Sequence, residues 1–165
     1  MKTKILITLI LFCFISCKNS EKTEKTERKY QPDIYNVKGN DTEMNAAIEK
    51  ANQTLTDFNA ALLNAEIEVK SLKVKFQNET DVEHIWLSDV QFKDGKYSGI
   101  LDNEPEYITD YKIGDTLNVD SKNISDWMYI ENGKLFGGYT IKVLRNRMPE
   151  SERKQFDAES GMQID

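Results

Sequence analysis

Leu72-Lys73-Val74-Lys75-Phe76, the turn-rich Asn78-Glu79-Thr80-Asp81 and Val82-Glu83-His84-Ile85-Trp86-Leu87 together decide the fold. Apolar and polar residues alternate on either side of the turn, which is the period of a half-buried strand and predicts a hairpin. Upstream the period is helical instead. Met44, Ala47, Ile48, Ala51, Leu55, Phe58 and Leu62 recur at three- and four-residue steps and predict one amphipathic helix over residues 41–64, with Asn45, Glu49, Lys50, Asn52 and Asp57 toward water. Asn40, with Glu43 three residues later, reads as its capping box.

Downstream, Asp94-Gly95 and Asn132-Gly133 suit tight hairpin turns, because both dipeptides tolerate positive φ. They separate short apolar runs at Val90-Gln91-Phe92, Tyr97 to Leu101, Trp127 to Ile130 and Leu135-Phe136, and a further strand is expected at Ile113 to Val119. After Gly137-Gly138, residues 139–148 read two ways: Tyr139, Ile141 and Val143 alternate like a strand, while Ile141, Leu144 and Met148 fit a helix, which Lys142, Arg145 and Arg147 near its end favour because cations suit the dipole. Pro149 then opens a short helix running to about Ala158. The expected architecture is α+β: a long N-terminal amphipathic helix packed on a small antiparallel sheet or partly closed barrel, with short C-terminal helices. The globular domain is set at residues 41–158, with 159–165 a frayed tail.

The N-terminal region has a different character. Lys2 and Lys4 precede an apolar run from Ile5 to Ile15, about 16 Å as a helix and so half of a ~30 Å hydrocarbon core. This is the pattern of a signal peptide over residues 1–16. Phe14-Ile15-Ser16-Cys17 resembles a bacterial lipobox in its relaxed form, with Phe14 where Leu is usual, and marks Cys17 for lipidation. Two or more acyl chains on Cys17 would hold the protein on a membrane at the cell envelope. Residues 18–40, rich in Ser, Thr, Glu and Lys, have no apolar period and are expected to complete, with Cys17, a disordered tether.

With 165 residues, 39% apolar and 30% charged, the chain has room for one ordinary domain. Mean hydropathy of −0.61 excludes a protein of many membrane spans. The whole-chain charge is −6; residues 1–17 carry +2 and residues 18–40 carry +2, which leaves −10 from Asp41 onward. Nucleic acid is therefore excluded as a partner, since phosphate binding needs an excess of Lys and Arg. Both cysteines, Cys13 and Cys17, belong to the export and anchoring region, so the domain has no thiol of its own.

Few residues point to catalysis. His84 is the only histidine; Ser88 and Asp89 lie near it, but no Gly-x-Ser-x-Gly elbow is present and neighbours on one strand face opposite ways. One imidazole and no thiol make a zinc site unexpected, and no cofactor motif occurs. Gly137-Gly138 is a weak anion-binding signal. The aromatic residues are more informative: Trp86, Asp126, Trp127, Tyr139 and Arg145 are the candidates for a ligand pocket or interface.

Glu83 to Val90, Gly99 to Pro105, Gly114-Asp115, Ile124 to Ile130 with Gly133-Lys134-Leu135, and Gly137 to Ile141 resemble the YegJ-like bacterial domain of unknown function, number 2314 in its series. The resemblance covers about residues 41–157 and implies a domain found in small bacterial proteins, some secreted, and beside modules such as ankyrin repeats. It implies no activity and no catalytic residues. The sequence thus leads to a lipid-anchored envelope protein that is more a binding module than an enzyme, for a protein or small-molecule partner it does not identify. Two alternatives stand beside it: a carboxylate hydrolase using Asp89, Asp115 or Asp126, and an immunity- or inhibitor-like protein steered by its acidity to a basic partner.

Overall fold

The computed structural model describes residues 41–165 together with 23–26 and 34–37. The expected signal peptide, Cys17 and the rest of the tether lie outside the described residues. Within the segment expected to be disordered, β1 (Thr23–Thr26) and β2 (Ile34–Val37) pair as an antiparallel ribbon. Thr, Ile, Tyr and Val favour strands, and that local preference was hidden by the charged residues around them.

The domain begins with α1 (Thr42–Gln53) and α2 (Leu55–Leu62). These replace the single helix expected over 41–64. Thr54 interrupts it: its hydroxyl donates back to the Lys50 carbonyl at 2.8 Å, a bond that bends helices, and hydrogen-bonds the Tyr139 hydroxyl at 3.0 Å. The N-cap is Asp41, not Asn40, and its carboxylate accepts from Met44 N at 3.1 Å. Arg147, 106 residues away, clamps the same carboxylate with bonds of 2.6 and 2.7 Å and reaches Glu43 at 2.7 Å. A tertiary ion pair thus holds Asp41 as the cap, one residue after the position expected from the sequence.

The strands β3 (Val69–Gln77), β4 (Val82–Lys93), β5 (Lys96–Leu101), β6 (Thr116–Val119), β7 (Ile124–Glu131) and β8 (Lys134–Gly137) form one open antiparallel sheet in the order β6-β5-β4-β3-β7-β8. The Asp94-Gly95 and Asn132-Gly133 turns carry positive φ at both residues, as a two-residue hairpin requires. Leu72, Val74, Ile85, Leu87, Leu101 and Trp127 meet Ala51 and Phe58 in the core. Among the described residues no helix is long and apolar enough to cross a membrane.

The sheet cannot be flat. β6 and β7 are four positions apart, roughly 19 Å across a flat sheet. The chain from Val119 to Ile124 has five residue steps, at most about 18 Å when fully extended, and Ser121–Asn123 shortens that reach by forming a 3-10 turn. The sheet therefore coils until the end of β6 approaches the start of β7. Two bulges assist: Asp89, at φ 48°, adds a residue to β4 between Ser88 and Gln91, and Ser125 interrupts the β3–β7 register.

Past β8, α3 (Tyr139–Arg147) and α4 (Glu150–Ser160) complete the chain. The tail expected to fray is docked instead. Gln163 forms a parallel bridge to Lys134, with Leu135 N donating to the Gln163 carbonyl at 3.0 Å and Gln163 N to Gly133 at 2.8 Å. These bonds cover backbone groups on the outer edge of β8.

Gly137 joins β8 to α3 at φ 69°, and a Cβ there would sit against the Trp127 carbonyl oxygen and indole ring, well inside contact distance. Gly137→Ala is expected to lower unfolding free energy by roughly 2–5 kcal/mol, from left-handed strain plus overpacking. Urea denaturation followed by Trp fluorescence measures this, and an unchanged midpoint would show that the close approach is not needed.

Candidate functional site

Asp126 lies on β7 where β8 no longer runs beside it, and its carboxylate is fully buried. Gly138 supplies no capping side chain to α3, so Asp126 caps that helix from the neighbouring strand. One oxygen accepts from Trp127 N at 2.9 Å and Tyr139 N at 3.2 Å; the other accepts from Thr140 N at 2.8 Å and the Thr140 hydroxyl at 2.6 Å. Burial pushes this carboxyl up from its usual range, against the Thr140 bonds and the charge of Lys73. The Lys73 ammonium donates to the Thr140 hydroxyl at 3.3 Å and stands 5.4 Å from the Trp86 ring centroid. Burial lowers the Lys73 pKa, partly offset by Asp126.

Lys, hydroxyl and carboxylate in a row are the parts of an activated nucleophile. Here the Thr140 hydroxyl proton goes to Asp126 and the residue is only 2% exposed, so no substrate reaches it. The arrangement is a buried polar bracket joining β3, β7 and α3.

The five residues singled out in the sequence fall into three groups. Asp126, Trp127 and Tyr139 come together: Trp127 stacks on Phe58 at 5.6 Å and meets Tyr139 edge-on at 5.7 Å. Its indole N–H donates to the Ala51 carbonyl at 2.9 Å, and the side chain is a core element. Trp86, half-buried, faces away from Trp127, on the side of the sheet shared by Lys73 and Asp126, and Lys73 stands between it and Asp126. Arg145 stands apart, in a bidentate pair with Asp157 of α4 at 2.6 and 2.7 Å. The carboxylates proposed for hydrolysis lie on three different elements. Asp89 sits at the β4 bulge, Asp115 accepts from Lys112 N in the turn before β6, and Asp126 is enclosed. Among the described residues no group of three or more His, Cys, Asp or Glu side chains is placed to hold a metal ion.

An open groove of about 750 Å³ lies elsewhere, between residues 74–78 at the end of β3 and residues 116–120 that hold β6, and residues 108–111 line it as well. Its size is that of a small-ligand site. Phe76 and Tyr111 form its aromatic wall, with ring centroids 5.5 Å apart. The sequence reading placed Phe76 on a strand and gave Tyr111 no role. A signal was present: residues 102–115 form a fourteen-residue connection without helix or strand, a length that is uncommon unless the loop has work to do. Tyr107, Tyr111 and Ile113 on that loop are large and exposed. Glu83 anchors it, accepting from Glu106 N at 2.9 Å and Tyr107 N at 3.1 Å.

The family model described as "Uncharacterized protein conserved in bacteria (DUF2314)" matches residues 41–164, the helices, sheet and docked tail together. The chain belongs to the DUF2314 family. A Neisseria meningitidis serogroup B relative named "Putative ankyrin repeat protein" is 35% identical over 140 residues, covering 78% of this chain and 55% of its own length. The Escherichia coli K12 "Uncharacterized protein YegJ" is 30% identical over 115 residues, covering 70% of this chain and 75% of its own. This DUF2314 chain therefore spans little more than half of the Neisseria protein. No solved structure matches it.

Two outcomes follow for the polar bracket. Asp126→Ala strands two helix N–H groups and the Thr140 hydroxyl and leaves Lys73 without its buried counter-charge, for a loss of about 3–5 kcal/mol in urea unfolding; a loss below 1 kcal/mol would mean the bracket is not structural. His84, on the same face as Lys73 and Lys75, has its pKa lowered to about 4 by burial and then by those two cations. Below pH 6.5 the unfolded chain takes up a proton that folded His84 refuses until about pH 4. This contribution is therefore intact above pH 6.5 and is lost on acidification, by on the order of 2–3 kcal/mol. The difference in stability between wild type and His84→Gln should change by that amount from pH 7 to 4, and a constant difference would refute it.

Proposed function

We propose that this protein is a non-catalytic binding module, held on a membrane of the bacterial cell envelope by lipid chains on Cys17, that takes its ligand in the groove between β3 and β6. The observation that carries this reading is the groove itself: an aromatic wall of Phe76 and Tyr111, polar banks, and a long loop whose exposed apolar residues stand beside it. Aromatic surface edged by polar groups is the usual composition of a recognition site. The commitment of Asp126 to capping α3 favours binding over hydrolysis. The name of the Neisseria relative also suits it, since ankyrin repeats stack into extended binding surfaces. An inhibitor-like role is the same module with a basic partner, and the charge of −10 from Asp41 onward favours it.

Anchoring and binding are tested separately. Radioactive palmitate should label wild type and not Cys17→Ala; equal labelling of both would refute the anchor. In cells, full-length protein carrying Tyr111→p-benzoylphenylalanine should cross-link a ligand on illumination, while the same photoprobe at the exposed Asn146 of α3 should not. No adduct from position 111, or equal adducts from both, would remove the groove from the function.

A further inference from the structure

The walls of the groove are strand edges. A cavity lying on one face of a strand touches every second residue, because side chains alternate. This one is lined by five consecutive residues on each bank, 74–78 and 116–120. The pairing explains it. β3 loses β7 beyond Val74, so Lys75, Phe76 and Gln77 pair only with β4; β6 pairs only with β5. Among the described residues no further backbone hydrogen bond reaches 75–77 or 116–119. The docked tail protects the outer edge of β8, and among the described residues no bridge covers the edges on the groove.

We propose that this groove is a strand-acceptor slot, taking an extended basic segment of a partner protein as an additional strand between the edges of β3 and β6. The proposal rests on the binding-module reading above and names the chemistry of the partner. Two facing rows of backbone donors and acceptors match a polypeptide and neither a lipid chain nor a sugar. Five-residue banks, roughly 17 Å long, fit an extended segment of five to seven residues. Phe76 and Leu117 pack toward the core, so every second residue of the guest meets an apolar floor, with Tyr111 against Phe76. The alternate guest residues face water beside exposed Lys75, Gln77 and Asn118. Asp120 is paired with Lys122 at 2.9 Å, so Asp110 faces Lys75 in the groove and the preference for a basic guest comes from the −10 charge from Asp41 onward.

The test is calorimetric titration of full-length protein with a heptapeptide in which Val alternates with Lys. Binding is expected, weakened at least tenfold when Glu replaces Lys and at least threefold by Asp110→Lys, whose side chain is exposed. N-methylating the odd-numbered or the even-numbered amides of the peptide should each weaken binding at least tenfold, because a strand between two edges uses both sets. Indifference to methylation, loss with one set only, or equal affinity for the Glu peptide would overturn the proposal. Absence of peptide binding with the Tyr111 cross-link intact would overturn the strand slot and leave the groove as a binding site; absence of both would end the groove reading as well.

Discussion

The rest of the molecule depends on the short connection between β6 and β7. Four residues, three of them coiled in a 3-10 turn, must carry the chain past three intervening strands. The sheet answers by coiling, with the bulges at Asp89 and Ser125 placed where extra twist is needed. Coiling gives the sheet a concave side, and α1 and α2 supply Ala51 and Phe58 to fill it. It also leaves a gap, because β6 approaches β3 without pairing with it. Core and groove are thus two results of one geometric constraint.

A second constraint acts at the opposite edge. β8 is only four residues long, and the part of β7 beyond it would expose its backbone. Gly137 and Gly138 turn the chain so that the start of α3 fills this place, and Asp126 ties it down through Tyr139 N, Thr140 N and the Thr140 hydroxyl. A charge in such a position needs compensation, and Lys73 and the helix N-terminus provide it. Arg147, at the far end of the same helix, then clamps Asp41 and Glu43 and holds α1 over the sheet. α3 is braced at both ends, which explains why its residues carry ion pairs and caps more than catalytic parts.

Much of this was legible in the chain. The hairpins at Asp94-Gly95 and Asn132-Gly133, the alternation around Lys73 and His84 and the helical spacing after Met44 all depend on neighbours within a few residues. The family was legible for the same reason, through motifs such as Asp126-Trp127-Met128-Tyr129. What was misjudged depends on distant partners: Arg147 holds Asp41 as the cap, Tyr139 reinforced the break at Thr54, and β8 gave the tail at Gln163 a backbone to pair with. Of the candidate residues, Trp127 proved to be core because Phe58 and Ala51 come to it from another element, and Arg145 was taken by Asp157.

The sequence by itself determined the element types, the acidic and thiol-free character of the domain and the residues able to bend or cap the chain. Those properties are local or additive, so no knowledge of the fold is needed to read them. Tertiary structure alone decided which carboxylate is buried and which is wet, which face of the sheet each aromatic occupies, and that two strand edges face each other across a groove. Such facts arise when segments distant in the chain, such as Val74 to Asn78 and Thr116 to Asp120, are brought side by side by the coiling of one sheet.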